Sequence, residues 1–129
     1  MMDRKALIIT DGTESILPIA SLISDVLSGF QVKICCGEKF CGTDLLPAEI
    51  FFLGCEKANP ASFTYIKEML SHINLASRKC GIFSTNKAAL DYLAKIVKDC
   101  EADLGAPLQV VSEIIPKPKL QKWVESIVK

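Results

Sequence analysis

The chain has 129 residues, of which 50% are hydrophobic and 23% are charged, and its 15 basic residues balance its 15 acidic ones. This length fits one domain, residues 1–129, in which about two-thirds of the unfolded surface becomes buried. A neutral chain without a basic cluster argues against nucleic acid as a partner and against attraction to a membrane surface.

Cysteine use and the lack of long apolar runs indicate a reducing compartment. No run approaches the roughly 20 apolar residues that cross a bilayer, and the N-terminus leads into a short strand rather than a signal-peptide core. We therefore expect a cytoplasmic protein whose six cysteines are reduced and mostly buried. No metal site is expected at Cys35, Cys36 and Cys41, since no CxxC pair occurs and the one histidine is distant in sequence.

The N-terminal stretch predicts a strand, a loop and a helix. Residues 6–9 form an apolar run too short for a helix, and residues 10–15 are polar or glycine. Apolar positions at Ile16, Ala20 and Ile23 then follow the helical period. Strand, loop and amphipathic helix make the opening half of a βαβ unit. Such a loop presents hydroxyl and backbone N–H groups at the positive end of the helix, where anions bind.

The chain continues with an edge strand, an irregular segment and a fully buried strand. Alternating apolar residues predict the edge strand at residues 31–36. Glycines and a proline at residues 37–49 disfavour a full helix and leave room for one helical turn. Residues 50–53 are apolar throughout, as in a strand covered on both faces. Asn59 then predicts the N-cap of a helix, with Pro60 at its first position.

The C-terminal half repeats the alternation of strand and helix. A fourth strand is predicted at residues 80–84, and the polar residues 84–86 precede an amphipathic helix. A fifth strand is predicted at residues 109–115, before a last helix that buries Trp123 or Val124.

Alternating apolar strands and amphipathic helices predict an α/β fold of three layers, with helices on both faces of a parallel sheet. Right-handed crossovers and five strands favour the order 2-1-3-4-5. The helix between strands 2 and 3 is expected to be absent or a single turn. In such sheets ligands bind outside the carboxyl ends of the strands, where the order reverses between strands 1 and 3.

Three polar loops follow strands 1, 3 and 4 and are expected to converge at that edge of the sheet. Their residues are the candidate ligand-binding residues: Thr10, Asp11, Gly12, Thr13, Glu14 and Ser15 in the first loop, Cys55, Glu56, Lys57, Ala58 and Asn59 in the second, and Ser84, Thr85 and Asn86 in the third. The alternative for each loop is a structural role alone, with Thr10, Asp11 or Thr13 capping the first helix. Cys55 is either a reactive thiol beside the site or, since no histidine lies nearby in sequence, an inert one.

Four segments resemble the flavodoxin family in order, spacing and character: ALIITDGTES, EIFFLGCEKANPASFTYIKEML, KCGIFSTNKAALDYLAKIV and LQKWVESIV. The resemblance spans residues 6–128. It implies a flavodoxin-like fold, noncovalently bound FMN as the cofactor, and transfer of single electrons to or from a redox partner protein. It also implies that the first loop wraps the FMN phosphate while the other two loops flank the flavin ring. The oligomeric state is left open, with a homodimer as one possibility.

The first loop departs from the family pattern Thr/Ser-x-Thr-Gly-x-Thr. The outer hydroxyl groups are kept, but the two central residues stand in inverted order, Gly12 before Thr13. The carboxylates of Asp11 and Glu14 would oppose a phosphate dianion unless both point away from it. None of the three loops carries an aromatic side chain that would stack on a flavin ring.

Three hypotheses follow. The favoured one is an FMN-dependent electron carrier, and the alternative is a flavodoxin-fold domain that has lost FMN and acts as a binding or regulatory module. The third is a receiver-like phosphoacceptor domain, which shares the strand order and would use Ser84 or Thr85 with Lys117. It lacks the acceptor aspartate, because Leu53 and Gly54 stand where the third strand ends. No catalytic motif of a familiar enzyme class occurs, so a carrier or a non-catalytic domain is favoured over an enzyme.

Overall fold

The computed structural model of the chain describes residues 4–40, 42–45, 47–110 and 116–128. Within them lie six strands and five helices, with short 3-10 turns at Gly37–Lys39 and Ala61–Phe63. The strands are β1 (Arg4–Thr10), β2 (Phe30–Cys36), β3 (Ile50–Gly54), β4 (Lys79–Ser84), β5 (Asp103–Leu104) and β6 (Leu108–Gln109). The helices are α1 (Leu17–Val26), α2 (Gly42–Leu45), α3 (Thr64–Leu70), α4 (Lys87–Asp99) and α5 (Lys117–Val128).

The strands form one parallel sheet in the order β2-β1-β3-β4-β5, which confirms the predicted order. The short strand β6 also pairs with β4. The order reverses at β1, where Thr10 lies opposite Cys36 of β2 on one side and Gly54 of β3 on the other. β2 is an edge strand as predicted, and its Ile34 side chain is 38% exposed. The reversal places the carboxyl ends of β1 and β3 side by side.

Side chains of the strands alternate between two apolar cores, as the two-residue period of a strand requires. The face covered by α3 and α4 buries Leu7 of β1 and Leu53 of β3, and we call it the α3/α4 core. The opposite face, covered by α1 and α5, buries Ile8, Phe52 and Phe83, and we call it the α1/α5 core. Helices on both faces confirm the predicted three layers.

The helices bury the apolar stripes that the sequence predicts. α1 turns Ile19, Ala20 and Ile23 into the α1/α5 core, and α5 buries both Trp123 and Val124 there. The single turn of α2 is the only α-helix between β2 and β3 in the described residues, as expected. None of the helices in the described ranges is long and apolar enough to cross a membrane.

The helix after β3 begins later than predicted. Asn59 adopts a left-handed backbone with a φ of 52°, and Pro60 is extended, with φ −67° and ψ 147°. The 3-10 turn at Ala61–Phe63 separates them from α3, so the prediction of Asn59 as N-cap and Pro60 as first helical residue is wrong. Asparagine tolerates left-handed backbone, and here it makes a turn. Gly37 packs so closely on the Ser62 carbonyl that a side chain at Gly37 would overlap it.

The fifth position of the sheet also differs from the prediction of one strand at residues 109–115. β5 pairs with the start of β4 and β6 with its end, so the pairing begins before the predicted strand. The break between β5 and β6 contains Pro107, which has no N–H to donate. It also contains Ala106, whose carbonyl accepts a hydrogen bond from the Trp123 indole at 2.7 Å. Residues 111–115 lie outside the described residues.

The cysteines of the described residues are free thiols. The expected burial is confirmed for Cys55, Cys80 and Cys100, whereas Cys35 and Cys36 are half-buried. Cys41 lies outside the described residues.

Candidate functional site

The first loop is closed by hydrogen bonds to side chains of its own residues. The hydroxyl of Thr10, fully buried at the end of β1, accepts from the N–H of Gly12 at 3.2 Å. One carboxylate oxygen of Asp11 accepts from the N–H of Thr13 at 3.1 Å and from its hydroxyl at 2.7 Å. The N-cap of α1 is Ile16, without a side-chain capping bond. The side chains of Thr10, Asp11 and Thr13 therefore do not cap α1, as the structural alternative for this loop expected, because they bond within the first loop or to the second loop instead.

Asp11 also joins the first loop to the second. Its other carboxylate oxygen accepts from the backbone N–H of Glu56 at 2.7 Å. Hydrogen bonds to an ionised acceptor are about twice as strong as neutral ones, so this contact holds the two loops together. Three donors from two loops thus converge on a single carboxylate.

Ser84 joins the third loop to the second. Its fully buried hydroxyl donates to the carbonyl of Cys55 at 2.5 Å and accepts from the N–H of Asn86 at 3.0 Å. The side chain of Asn86 in turn accepts from the N–H of Ala88 at 2.8 Å and caps α4. The three loops therefore converge as expected. The third loop has a structural role, since Asn86 caps α4.

We predict that Ser84→Ala lowers the free energy of unfolding by about 1–3 kcal/mol, because the Cys55 carbonyl and the Asn86 N–H each lose a buried partner. Urea denaturation measures the change. The matched control is Ser15→Ala, since Ser15 is exposed and such a surface change stays within about 0.5 kcal/mol. Equal effects of the two substitutions would contradict the prediction.

An open depression of about 470 Å³ lies between the first loop, the second loop and the segment after β2. Its lining carries three carboxylates, those of Asp11, Glu38 and Glu56, and one ammonium group, that of Lys57. Acidic groups therefore outnumber basic ones at this surface. A depression of this charge disfavours anions, because like charges repel in a partly desolvated place.

The depression brings together only part of the predicted set. Its described lining includes the predicted residues Asp11, Thr13, Glu56, Lys57, Ala58 and Asn59. The remaining predicted residues, including the whole third loop, lie outside it. Sequence reasoning missed Glu38, Pro60, Ala61 and Ser62, which also line it. The signal for Glu38 is its place after β2, the neighbour of β1 in the predicted strand order.

The Cys55 thiol is fully buried at the start of the second loop. Burial raises its pKa from 9.0 to about 12, and the negative charge of Asp11 contributes to the rise. The thiolate is the reactive form, so burial and the raised pKa favour the alternative of an inert thiol for Cys55. The nearby Tyr92 hydroxyl is buried without a hydrogen-bond partner in the described part of the chain, and burial raises its pKa, with Cys55 as a smaller cause.

The raised thiol pKa predicts alkaline destabilisation. In the unfolded chain a thiol ionises near pH 9.0, whereas the folded chain keeps Cys55 protonated to about pH 12. The contribution of Cys55 to the free energy of unfolding is therefore fully present below pH 9 and is lost as the pH rises from 9 towards 12, because ionisation of the thiol then favours the unfolded chain. Urea midpoints at about pH 8 and about pH 10.5 measure the loss. Cys55→Ala should lose less over this interval than the wild type, and an identical loss would contradict the assignment.

The donors that are bonded within and between the first two loops are not available to a phosphate group such as that of FMN. A phosphate needs free N–H and O–H donors, yet the N–H groups of Gly12, Thr13 and Glu56 already bond to protein oxygens. The Asp11 carboxylate occupies the place where the N–H groups of Thr13 and Glu56 meet, and Glu56 adds a second negative charge beside it. No aromatic side chain is present in the described lining to stack on a flavin ring.

The receiver-like hypothesis gains no support from the geometry. β3 ends at Gly54, whose backbone lies between Thr10 of β1 and Phe83 of β4. No carboxylate stands at that position, so the acceptor group that such a domain needs is missing.

Several solved structures share this architecture, although no protein-family model and no curated protein matches the chain. A short-chain flavodoxin associated with a non-canonical PDU bacterial microcompartment has a TM-score of 0.84 at 16% identity, over 98% of this chain and 97% of that one. The flavodoxin of Streptococcus pneumonia TIGR4 has a TM-score of 0.81 at 18% identity, over 96% and 97% of the two chains. Flavodoxin 2 from Bacillus cereus has a TM-score of 0.79 at 18% identity, with the same coverage.

These similarities extend over nearly the full length of both chains. At 16–18% identity they concern the arrangement of the backbone rather than the site. They agree with the strand order that reverses at β1 and with the helices on both faces of the sheet. The chain therefore has the flavodoxin fold.

Proposed function

We propose that this chain is a cytoplasmic, flavodoxin-fold protein that has lost FMN and acts as a binding or regulatory module. The observation that carries the proposal is the Asp11 carboxylate, which accepts hydrogen bonds from the N–H and hydroxyl of Thr13 and from the N–H of Glu56. A carboxylate in this position satisfies donors that a bound anion would otherwise satisfy. The loops are thus ordered without a ligand, and their acidic outer surface is free to meet a partner.

A second candidate is FMN-dependent electron transfer with a redox partner protein. It is favoured by the names of the similar solved structures, which are flavodoxins matched over 96–98% of this chain. The two candidates differ in one measurable property, the affinity for FMN. The carrier needs tight binding, whereas the cofactor-free module needs none.

Titration with FMN tests the proposal. The purified protein is expected to be colourless and to leave flavin fluorescence unquenched up to about 100 µM, a threshold that corresponds to only about −5.5 kcal/mol of binding free energy. Riboflavin, titrated in parallel, separates contacts to the ring from contacts to the phosphate. Saturable quenching by FMN with a dissociation constant in the micromolar range, accompanied by a shifted visible spectrum, would establish the carrier instead.

A further inference from the structure

Three hydrogen-bond donors meet at one point between the first and second loops. They are the N–H and hydroxyl of Thr13, at 3.1 and 2.7 Å from one oxygen of Asp11, and the N–H of Glu56, at 2.7 Å from the other. Backbone N–H groups and a hydroxyl that converge on a single acceptor form an arrangement that also suits a phosphate group. In this chain the acceptor is part of the protein.

The three donors are held by contacts that do not involve Asp11. The carbonyl of Thr13 accepts from the N–H groups of Ile16 and Leu17 at 3.2 and 3.1 Å, which fixes Thr13 to the start of α1. On the second loop, the carbonyl of Cys55 accepts from the buried hydroxyl of Ser84 at 2.5 Å. Because each loop has its own anchor, the donors are expected to keep their positions when the carboxylate is removed.

We infer that Asp11 is the specificity-determining residue of this edge, an internal substitute for a ligand phosphate that excludes phosphate monoesters from the loops. The inference concerns the same edge as the proposed loss of FMN and names the residue responsible. Removing the Asp11 carboxylate leaves three donors unsatisfied and takes away one negative charge. Both changes favour an external anion at that place.

The test compares Asp11→Ala with Glu14→Gln. Glu14 lies in the same loop, is exposed, and forms no hydrogen bond or ion pair with the described residues. Its substitution removes the same charge and releases no donor. The probes are inorganic phosphate, followed by the shift in Tm, and FMN against riboflavin, followed by flavin fluorescence. Circular dichroism establishes that each variant is folded.

Asp11→Ala is expected to bind FMN saturably below about 100 µM, where the wild type leaves flavin fluorescence unquenched, with riboflavin unchanged. If the wild type does bind measurably, the variant should bind at least about tenfold more tightly, for which about 1.4 kcal/mol from the released donors suffices. Inorganic phosphate should raise the Tm of Asp11→Ala alone. The inference is overturned if the folded variant does not gain affinity for FMN over riboflavin, or if Glu14→Gln gains as much.

A second variant keeps the test decisive if Asp11→Ala does not fold. Asp11→Asn keeps one acceptor oxygen, which serves either the Thr13 donors or the Glu56 N–H, and turns an amide NH₂ group towards the other. The charge is therefore lost and the link between the loops is weakened. A gain in phosphate affinity supports the inference, and no gain overturns it. The proposed function is tested separately. Tight binding of FMN by the wild type would refute the proposed loss of FMN. The ratio of the FMN affinities of Asp11→Ala and the wild type would still test the role of Asp11.

Discussion

Gly54→Val is expected to lower the free energy of unfolding by about 3 kcal/mol, the upper end of the cost of overpacking a core. Gly54 ends β3 and lies in register between Thr10 of β1 and Phe83 of β4. A Cβ at this position would overlap the ring of Phe83, which is itself fully buried. Because the Phe83 ring is enclosed by the core, it cannot move aside, and β3 and β4 must shift instead. Urea denaturation of the two proteins measures the difference.

Two further variants identify the cause of the loss. Gly29→Ala places a methyl group where nothing lies within 4 Å, but on a backbone with a φ of 84°. It should cost only about 1 kcal/mol, from the left-handed conformation. Phe83→Leu combined with Gly54→Val should be less destabilising than the sum of the single changes, because the two side chains compete for one space. Strict additivity would contradict the overlap as the cause.

Phe52→Ala is expected to cost about 3–5 kcal/mol, the usual range for removing a buried aromatic ring. Phe52 is 0% exposed at the centre of the α1/α5 core. The centre of its ring lies 5.7 Å from that of Trp123, at an interplanar angle of 55°. Aromatic pairs prefer such tilted arrangements to face-to-face stacking. It also fills the space that Gly81 leaves by having no side chain. The variant should unfold at a much lower urea concentration, with an unchanged m-value.

Leu17→Ala is the surface control for Phe52→Ala. Leu17 is 41% exposed on α1, so its substitution should change stability by no more than about 0.5 kcal/mol. The free energy of unfolding of such domains is about 5–15 kcal/mol. The loss expected for Phe52→Ala is therefore a large fraction of the total stability. A loss below about 1 kcal/mol for Phe52→Ala would show that the core closes around the gap.

The sheet was predictable because its signals are local. The apolar run of β3 and the glycine after it can be read directly from the sequence, and together with the alternating helices they determine the strand order. Two boundaries were not predictable, because contacts between distant segments set them. Asn59 and Pro60 have the preferences of a helix start, yet Gly37 packs on Ser62 next to them. The break before β6 depends on the Trp123 indole, which bonds to the carbonyl of Ala106.

The site was predictable in its location but not in its character. Strand order alone places the three loops at one edge, and the sequence shows that Asp11 brings a carboxylate there. It does not show which way the carboxylate points. The N–H of Glu56 that it binds is 45 residues away in the chain, and such a pairing appears only when both strands have been placed. Glu38 was missed for the same reason, since the turn after β2 reaches the depression only because β2 is the spatial neighbour of β1.

The two cores differ in when they are completed during synthesis. Among the described residues, those of the α3/α4 core lie between Leu7 and Leu104, so this part of the core is complete once β5 has been made. The α1/α5 core also requires Leu120 to Ile127 of α5. A nascent chain therefore has one face of its sheet complete and the other covered by α1 alone, with the Trp123 contact of Phe52 still missing, until α5 is added. Exposed apolar strands of this kind aggregate readily, so the α1/α5 face is the one that is prone to aggregation before α5 has been made.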